Sequence, residues 1–223
     1  ADNLRANVRR SRRDRIVVIP NFVDTDAIRP MDRLTDYRRD LGIDDRPVVM
    51  YAGNVGFSQS LDLVLEAARA LPDVAFVING DGSARDNLQM RAVDIPNVHF
   101  GDYQPTERLS EVLATADVHV IPLKRGLGRV SVPSKTYSIM AAGRPAVVAV
   151  DPGTEVPRLI TSSGGGLCVP PDEVPSFVEA VRHLVGHPNE AAEMGARARV
   201  HVEGNVSPAA VAASYADLLL GQS

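Results

Sequence analysis

Tryptophan is absent from this 223-residue chain, and aromatic residues make up only 4% of it. A core must therefore be built from valine, leucine, isoleucine and alanine, within a hydrophobic fraction of 44%. A single cysteine, Cys168, excludes an internal disulfide and suits a reducing compartment. It lies in the apolar run Gly-Leu-Cys-Val and reads as a buried, inert thiol. No run of about 18 apolar residues occurs, so no membrane-spanning helix is expected. The first residues lack the apolar centre of a secretory signal, and initiator methionine is missing, which predicts a fragment or a processed product. These features predict a cytoplasmic protein. Lysine is nearly absent too: Lys124 and Lys135 are the only two, and all other cationic side chains are arginine. Metal-ligand patterns are lacking. Of the histidines at 99, 119, 183, 187 and 201, only His183 and His187 share an i,i+4 spacing, and a solvated pair at a helix end accounts for that. No metal and no cofactor is expected.

Charge is distributed unevenly. Residues 1–15 hold six arginines against two aspartates, on a chain of formal net charge −4. Such a basic head suits a nucleic-acid arm, contact with an anionic membrane surface or simply a solvated helix face of a neighbouring domain. No aromatics interleave the arginines, so stacking on bases, and hence nucleic acid as a partner, is not expected.

What is present is a regular alternation. Short apolar runs at 15–20, 47–52, 74–79, 98–100, 117–122, 146–150 and 167–169 read as strands. Helical periodicity fills 33–41, 61–71, 84–93, 107–114, 135–142, 155–161, 174–185, 188–202 and 208–220. Runs without strict polar alternation suit strands covered on both faces. Their alternation with helices predicts βαβ units, hence a doubly wound, Rossmann-like α/β domain around a six-stranded parallel sheet. In that architecture ligands bind beyond the C-terminal ends of the strands, which directs attention to the loops there.

Those loops hold residue types suited to a diphosphate. Gly53-Asn54-Val55-Gly56 follows a strand and opens a helix, where glycine permits close approach and N–H groups favour an anion. The loop is neither a G-x-G-x-x-G fingerprint nor a Walker A motif. Asn79-Gly80-Asp81-Gly82 follows the next strand. Asp81 could meet a ligand hydroxyl, although Asp-Gly before a helix is also ordinary turn chemistry. Asp102 and Tyr103 follow the third. The segment KRGLGRVSVPSKTYSIMAAGRP, starting at Lys124, joins a glycine-rich loop to Pro133-Ser134-Lys135 at a helix start. An ammonium there suits phosphate as a compact point charge.

Taken in order, several stretches resemble the C-terminal, donor-binding half of a GT-B fold glycosyltransferase of the retaining family 4, of the type acting in bacterial polysaccharide assembly. Val18-Ile19-Pro20-Asn21-Phe22-Val23-Asp24 is similar to the family's hinge segment. Tyr51-Ala52-Gly53-Asn54-Val55-Gly56 with Ser58-Gln59-Ser60-Leu61-Asp62 is similar to its first phosphate-side loop. Asn79-Gly80-Asp81-Gly82, Val98-His99-Phe100-Gly101, Val132-Pro133-Ser134-Lys135-Thr136-Tyr137 and Met140-Ala141-Ala142-Gly143-Arg144-Pro145 follow in the family's order. The likeness runs from about residue 15 to 220.

The resemblance implies a glycosyltransferase that moves a sugar from a nucleoside diphosphate sugar, a UDP- or GDP-sugar, to a polysaccharide, lipid-linked or small-molecule acceptor. It places Gly53, Asn54, Gly56, Ser134 and Lys135 at the diphosphate, and Gly80, Asp81, Asp102, Tyr103 and Ser138 at the nucleoside. The family's paired glutamates fall at Val130 and Ser138, neither acidic. Its usual Arg and Lys after the first glycine loop are replaced by Asn54 and by Ser58 or Gln59, leaving Lys135 to meet the diphosphate. Residues 1–30 are then the remnant of an acceptor-binding N-terminal domain plus hinge, 31–205 the donor-binding domain, and 206–223 a helix returning toward the missing domain. The catalytic residues would lie in that missing domain, and the isolated piece is expected to be inactive. Two other readings fit the same loops: a GT-B nucleotide-sugar 2-epimerase, which calls for acidic and histidine groups in the cleft, and a non-catalytic nucleotide-sugar binding module.

Overall fold

The computed structural model describes residues 16–128 and 135–220. The arginine-rich 1–15 head, Val130 and Ser134 lie outside the described residues. Six strands, β1 (Val48–Ala52), β2 (Ala75–Asn79), β3 (Val98–Gly101), β4 (Val118–Pro122), β5 (Ala146–Ala149) and β6 (Gly166–Val169), form one sheet. Its order is β3-β2-β1-β4-β5-β6, and every pairing is parallel. The four central strands are buried at every position, whereas the edge strands β3 and β6 are only partly covered. That is why the sequence shows continuous apolar runs rather than alternation.

Helices cover both faces. Along β1, Val48 and Met50 face one layer while Val49 and Tyr51 face the other, as the two-residue period of a strand requires. The first layer packs α4 (Leu109–Ala114), α5 (Lys135–Ala141), α6 (Glu155–Ser163) and α8 (Pro188–Asn205) through Leu113, Met140, Ile160 and Val202. The second packs α2 (Asp62–Ala70), α3 (Arg85–Arg91) and α7 (Val174–Gly186) through Leu65, Leu88, Phe177 and Leu184. Helix α9 (Pro208–Leu220) lies outside both, with Leu219 and Leu220 exposed.

Three expectations shift. Cys168, expected to be buried, is exposed, because β6 is an edge strand that is only partly covered. Residues 16–20 of the first apolar run form no strand, and Val17 and Val18 stand half exposed. The sheet already ends at β3 and β6, so among the described residues this run has no ladder partner. The helix expected at 33–41 shortens to α1 (Asp36–Asp40). Asp32 Oδ1 accepts from Leu34 N at 2.7 Å and holds a turn first, then Thr35 caps α1 by accepting from Arg38 N at 3.1 Å.

Arg38 is a buried member of the framework. It is 1% exposed and donates to the carbonyls of Asp44, Arg46 and Thr115, in the segments that lead into the central strands β1 and β4. Its pKa falls, chiefly from burial and despite Asp117 3.8 Å away. Nothing in the local sequence around Arg38 distinguishes it from its exposed neighbour Arg39.

Candidate functional site

Strand order reverses direction between β1 and β4, because β1 is followed outward by β2 and β3 while β4 is followed by β5 and β6. The two loops leaving this point diverge and open a crevice beyond the strand ends. They are tied together at their bases: Gln59 and Leu123 form an antiparallel bridge, and Lys124 N donates to Ser58 O at 3.0 Å.

The loops after β1, β2 and β3 interlock through glycine. Gly80 has φ +136°, and a Cβ there would lie 1.9 Å from the Gly53 carbonyl oxygen, so only glycine lets these turns touch. Gly53 N donates to Asn79 O, Val55 N to Asp81 O, and Gly80 N to Gly101 O, at 2.8–2.9 Å. Gly56 N donates to Asn54 O at 3.0 Å and to Gln59 Oε1 at 3.1 Å. In this structure the N–H groups of Gly53, Val55 and Gly56 are therefore spent inside the fold. What the first loop leaves open is the exposed Asn54.

The loop after β4 behaves alike. Gly126 N and Gly128 N both donate to Asp151 Oδ2, at 2.8 and 3.1 Å, and Arg125 N donates to Asp172 Oδ2 at 2.9 Å. Those backbone donors, Gly126 first, hold the Asp151 carboxyl below its ordinary range. Two carboxylates thus occupy donors that glycine spacing suggests for phosphate.

A cleft of about 620 Å³ opens beyond the ends of β1 and β2, with α4 along one wall. Lys135 and Ser138 of α5 line it, with Tyr137 between them, Asn79 from the end of β2, Tyr103 from the loop after β3, and Asn21 and Phe22 from the segment before α1. Of the residues expected at the nucleoside, Tyr103 and Ser138 thus reach the cleft wall. Asp102 sits on the rim with its carboxylate 2.6 Å from Arg85, whose guanidinium also donates to Gly80 O at 2.6 Å. Asp81 is exposed and accepts from Gly82 N at 2.7 Å, which is turn chemistry. Gly53 backs onto the cleft: a Cβ there would meet Tyr51 Oη at 3.0 Å and Lys135 Cε at 3.7 Å.

Lys135 is the focal group. It is half-buried, and burial lowers its pKa with no charged group offsetting the effect. Its ammonium lies 5.6 Å from the centroid of the Tyr103 ring, within cation–π range, and among the described residues it makes no ion pair. Lys124, by contrast, is exposed beside a shallow recess with Phe57, Asp62 and Arg91, away from the cleft. The two lysines that stand together in the sequence do not act together in the fold.

Sequence reasoning missed Tyr37. Its hydroxyl donates to Asn79 Oδ1, fixing the amide at the cleft floor. Burial first, and then Asp102, push the Tyr37 phenol up to about 12, so it remains a donor at neutral pH. Tyr51, raised chiefly by burial, likewise keeps its proton and donates to Asn54 O at 2.7 Å. Neither tyrosine belongs to a motif, and only the fold brings them here.

Residues 46–187 match the family described as glycosyl transferases group 1. The chain belongs to that family. A glycosyl transferase named for colanic acid biosynthesis, WcaI of Escherichia coli K12, is 33% identical over 147 residues, covering 64% of this chain and 36% of its own. The GDP-mannose-dependent alpha-(1-6)-phosphatidylinositol monomannoside mannosyltransferase of Mycolicibacterium smegmatis is 30% identical over 220 residues, 92% of this chain and 56% of that protein. This group 1 chain thus spans about a third to a half of the relatives it matches. Among solved structures, HepE of Anabaena in complex with UDP superposes with a TM-score of 0.81 at 16% identity, covering 98% of this chain and 60% of that one. The C-terminal domain of LpcC from Francisella tularensis superposes with a TM-score of 0.67 at 16% identity, covering 83% of this chain and 99% of that one. These structures share the Rossmann-like fold.

Proposed function

We propose that this chain is the donor-binding, C-terminal half of a retaining GT-B glycosyltransferase of family 4, and that its cleft holds a nucleoside diphosphate sugar. One observation carries the reading. A half-buried ammonium that makes no ion pair among the described residues stands at the start of a helix and lines a cleft at the C-terminal end of the sheet, beside the interlocked glycine turns. Keeping a charge desolvated and unpaired costs stability unless an anion completes it. A diphosphate is such an anion. Lys135 would neutralise charge as it develops on the leaving diphosphate, the step at which fixed positive charge lowers the barrier most. Ser134 and the Asn54 side chain would flank the phosphates, with Gly53 and Gly56 giving them room. Tyr103, Ser138, Gly80 and the rim carboxylates Asp81 and Asp102 would surround the nucleoside.

Both donor classes have support among similar proteins: HepE was solved with UDP-glucose, and the mycobacterial relative is named GDP-mannose-dependent. The acceptor would be a polysaccharide, a lipid-linked sugar or a small molecule, held by a second domain that 1–30 and 206–223 adjoin. The arginine-rich residues 1–15 would contact an anionic membrane surface, where such acceptors reside. No described helix is long and apolar enough to cross a membrane.

The test is a thermal-shift and calorimetric panel of UDP-, GDP- and ADP-sugars on this chain and on Lys135→Ala. Binding of one nucleotide class, weakened in the variant, is the expected result. Absence of binding by every member overturns the reading.

A further inference from the structure

The junction between α7 and α8 carries a cluster that the sugar-donor reading does not use. His183 lies in the last turn of α7, His187 is the single residue between the helices, and Glu190 lies in the first turn of α8. One ligand atom from each of these residues falls within 4.8 Å of the other two, and among the described residues this is the group of three that meets that condition. His183 Nε2 stands 3.0 Å from Glu190 Oε2. The two imidazole rings lie 4.3 Å apart, centroid to centroid, at 27°.

The orientation of His187 is what turns proximity into a site. Its Nδ1 is 2.7 Å from the carbonyl oxygen of His183. A carbonyl only accepts, so Nδ1 carries the proton and Nε2 holds the free lone pair. A backbone carbonyl that fixes the outer nitrogen is the usual second partner of a metal-bound imidazole. The backbone that carries the three side chains is anchored, because Leu184 and Ala191 on either side are buried against the sheet layer. The side chains themselves are free to adjust, at 40% exposure for His183 and 43% for Glu190. Tetrahedral zinc with bonds of about 2.0–2.2 Å sets its ligand atoms about 3.3 Å apart. The His183–Glu190 pair, at 3.0 Å, is close to that separation, and the exposed His187 ring completes the set by turning out of its stack on His183.

We propose that His183, His187 and Glu190 form a binding site for a divalent first-row transition metal, with Zn²⁺ the fitting ion. Two imidazoles and one carboxylate suit zinc, cobalt, nickel or copper rather than magnesium or calcium. The metal replaces the proton shared between His183 and Glu190, and a fourth position stays open for water. Bound there, it clamps the end of α7 to the start of α8. The spacing H-x3-H-x2-E runs across a helix break at Pro188, so the third donor comes into reach only through the turn.

The chain is stripped with chelator and titrated with Co²⁺ followed optically, then with Zn²⁺ by calorimetry. The expected result is one site per chain, visible d–d absorption that Zn²⁺ abolishes, and a melting temperature raised by Zn²⁺. His183→Ala, His187→Ala and the conservative Glu190→Gln should each weaken binding by more than about tenfold, while His201→Ala should bind like the parent. A chain that binds no Co²⁺ or Zn²⁺ stoichiometrically overturns the proposal. So does parental affinity in any of the three ligand variants, which would leave His183 and Glu190 as a surface ion pair alone.

Discussion

Replacing Lys135 by methionine separates a charge kept for a ligand from a charge kept for the fold. Methionine preserves most of the unbranched stem that lies along Gly53 and removes only the ammonium. Among the described residues that ammonium has no ion pair, and the Tyr103 ring 5.6 Å away compensates it there. Burial lowers its pKa, so folding disfavours the charged form. The penalty is present at neutral pH, where the ammonium persists in both folded and unfolded chains, and vanishes above the ordinary lysine range. Lys135→Met should therefore melt no lower than the parent at pH 7. Binding should move the other way. A hydrogen bond to a charged group contributes about 1.5–3 kcal/mol, which corresponds to about 10- to 150-fold in affinity. Titration calorimetry with a nucleoside diphosphate should show that loss, and the uncharged nucleoside should bind Lys135→Met and the parent alike. Lys124→Met, outside the cleft, should change neither. Unchanged diphosphate affinity, or a clear drop in melting temperature at pH 7, would show that the ammonium serves the fold and not a phosphate.

Gly80→Ala should destabilise the chain by at least about 2 kcal/mol, because its φ of +136° is open almost only to glycine and the new Cβ would sit 1.9 Å from Gly53 O; denaturant unfolding measures it. His119 is fully buried in β4, with Nε2 2.9 Å from Leu113 O, and burial lowers its pKa to about 4. The unfolded chain therefore takes up this proton first, so stability should fall from about pH 6.5 downward. The loss should reach about 2 kcal/mol at pH 5 and be complete below pH 4, and His119→Gln should flatten that part of the profile. Arg38→Met should cost about 3 kcal/mol by stranding the carbonyls of Asp44, Arg46 and Thr115. Arg38→Lys should recover little, since an ammonium cannot span three carbonyls as a guanidinium does. On the proposed function, sugar transfer should be undetectable with this chain alone and should appear only when a second, acceptor-binding domain is supplied, as the positioning of both reactants requires.

The architecture was legible because both its signals are local. A strand covered on both faces must be apolar at every position, and β1, β2, β4 and β5 announce themselves that way. The helices between them follow the 3.6-residue period, and parallel pairing then follows from the alternation itself. Glycine was legible where a turn demands it, as at Gly80. Strand order was not, because which neighbour a strand takes depends on packing between layers distant in sequence, and so the crevice between β1 and β4 emerged only from the fold. The run at 16–20 shows the same limit: apolar content marks a strand candidate, but a ladder partner makes a strand. Lys135 was readable as an isolated cation at a helix start. That Lys124 lies elsewhere, that Asp151 fills the glycine-loop donors, and that Tyr37 braces Asn79 across 42 residues were settled by tertiary structure. Hydrogen bonds of that kind join groups whose separation along the chain carries no period, so no pattern in the sequence could record them.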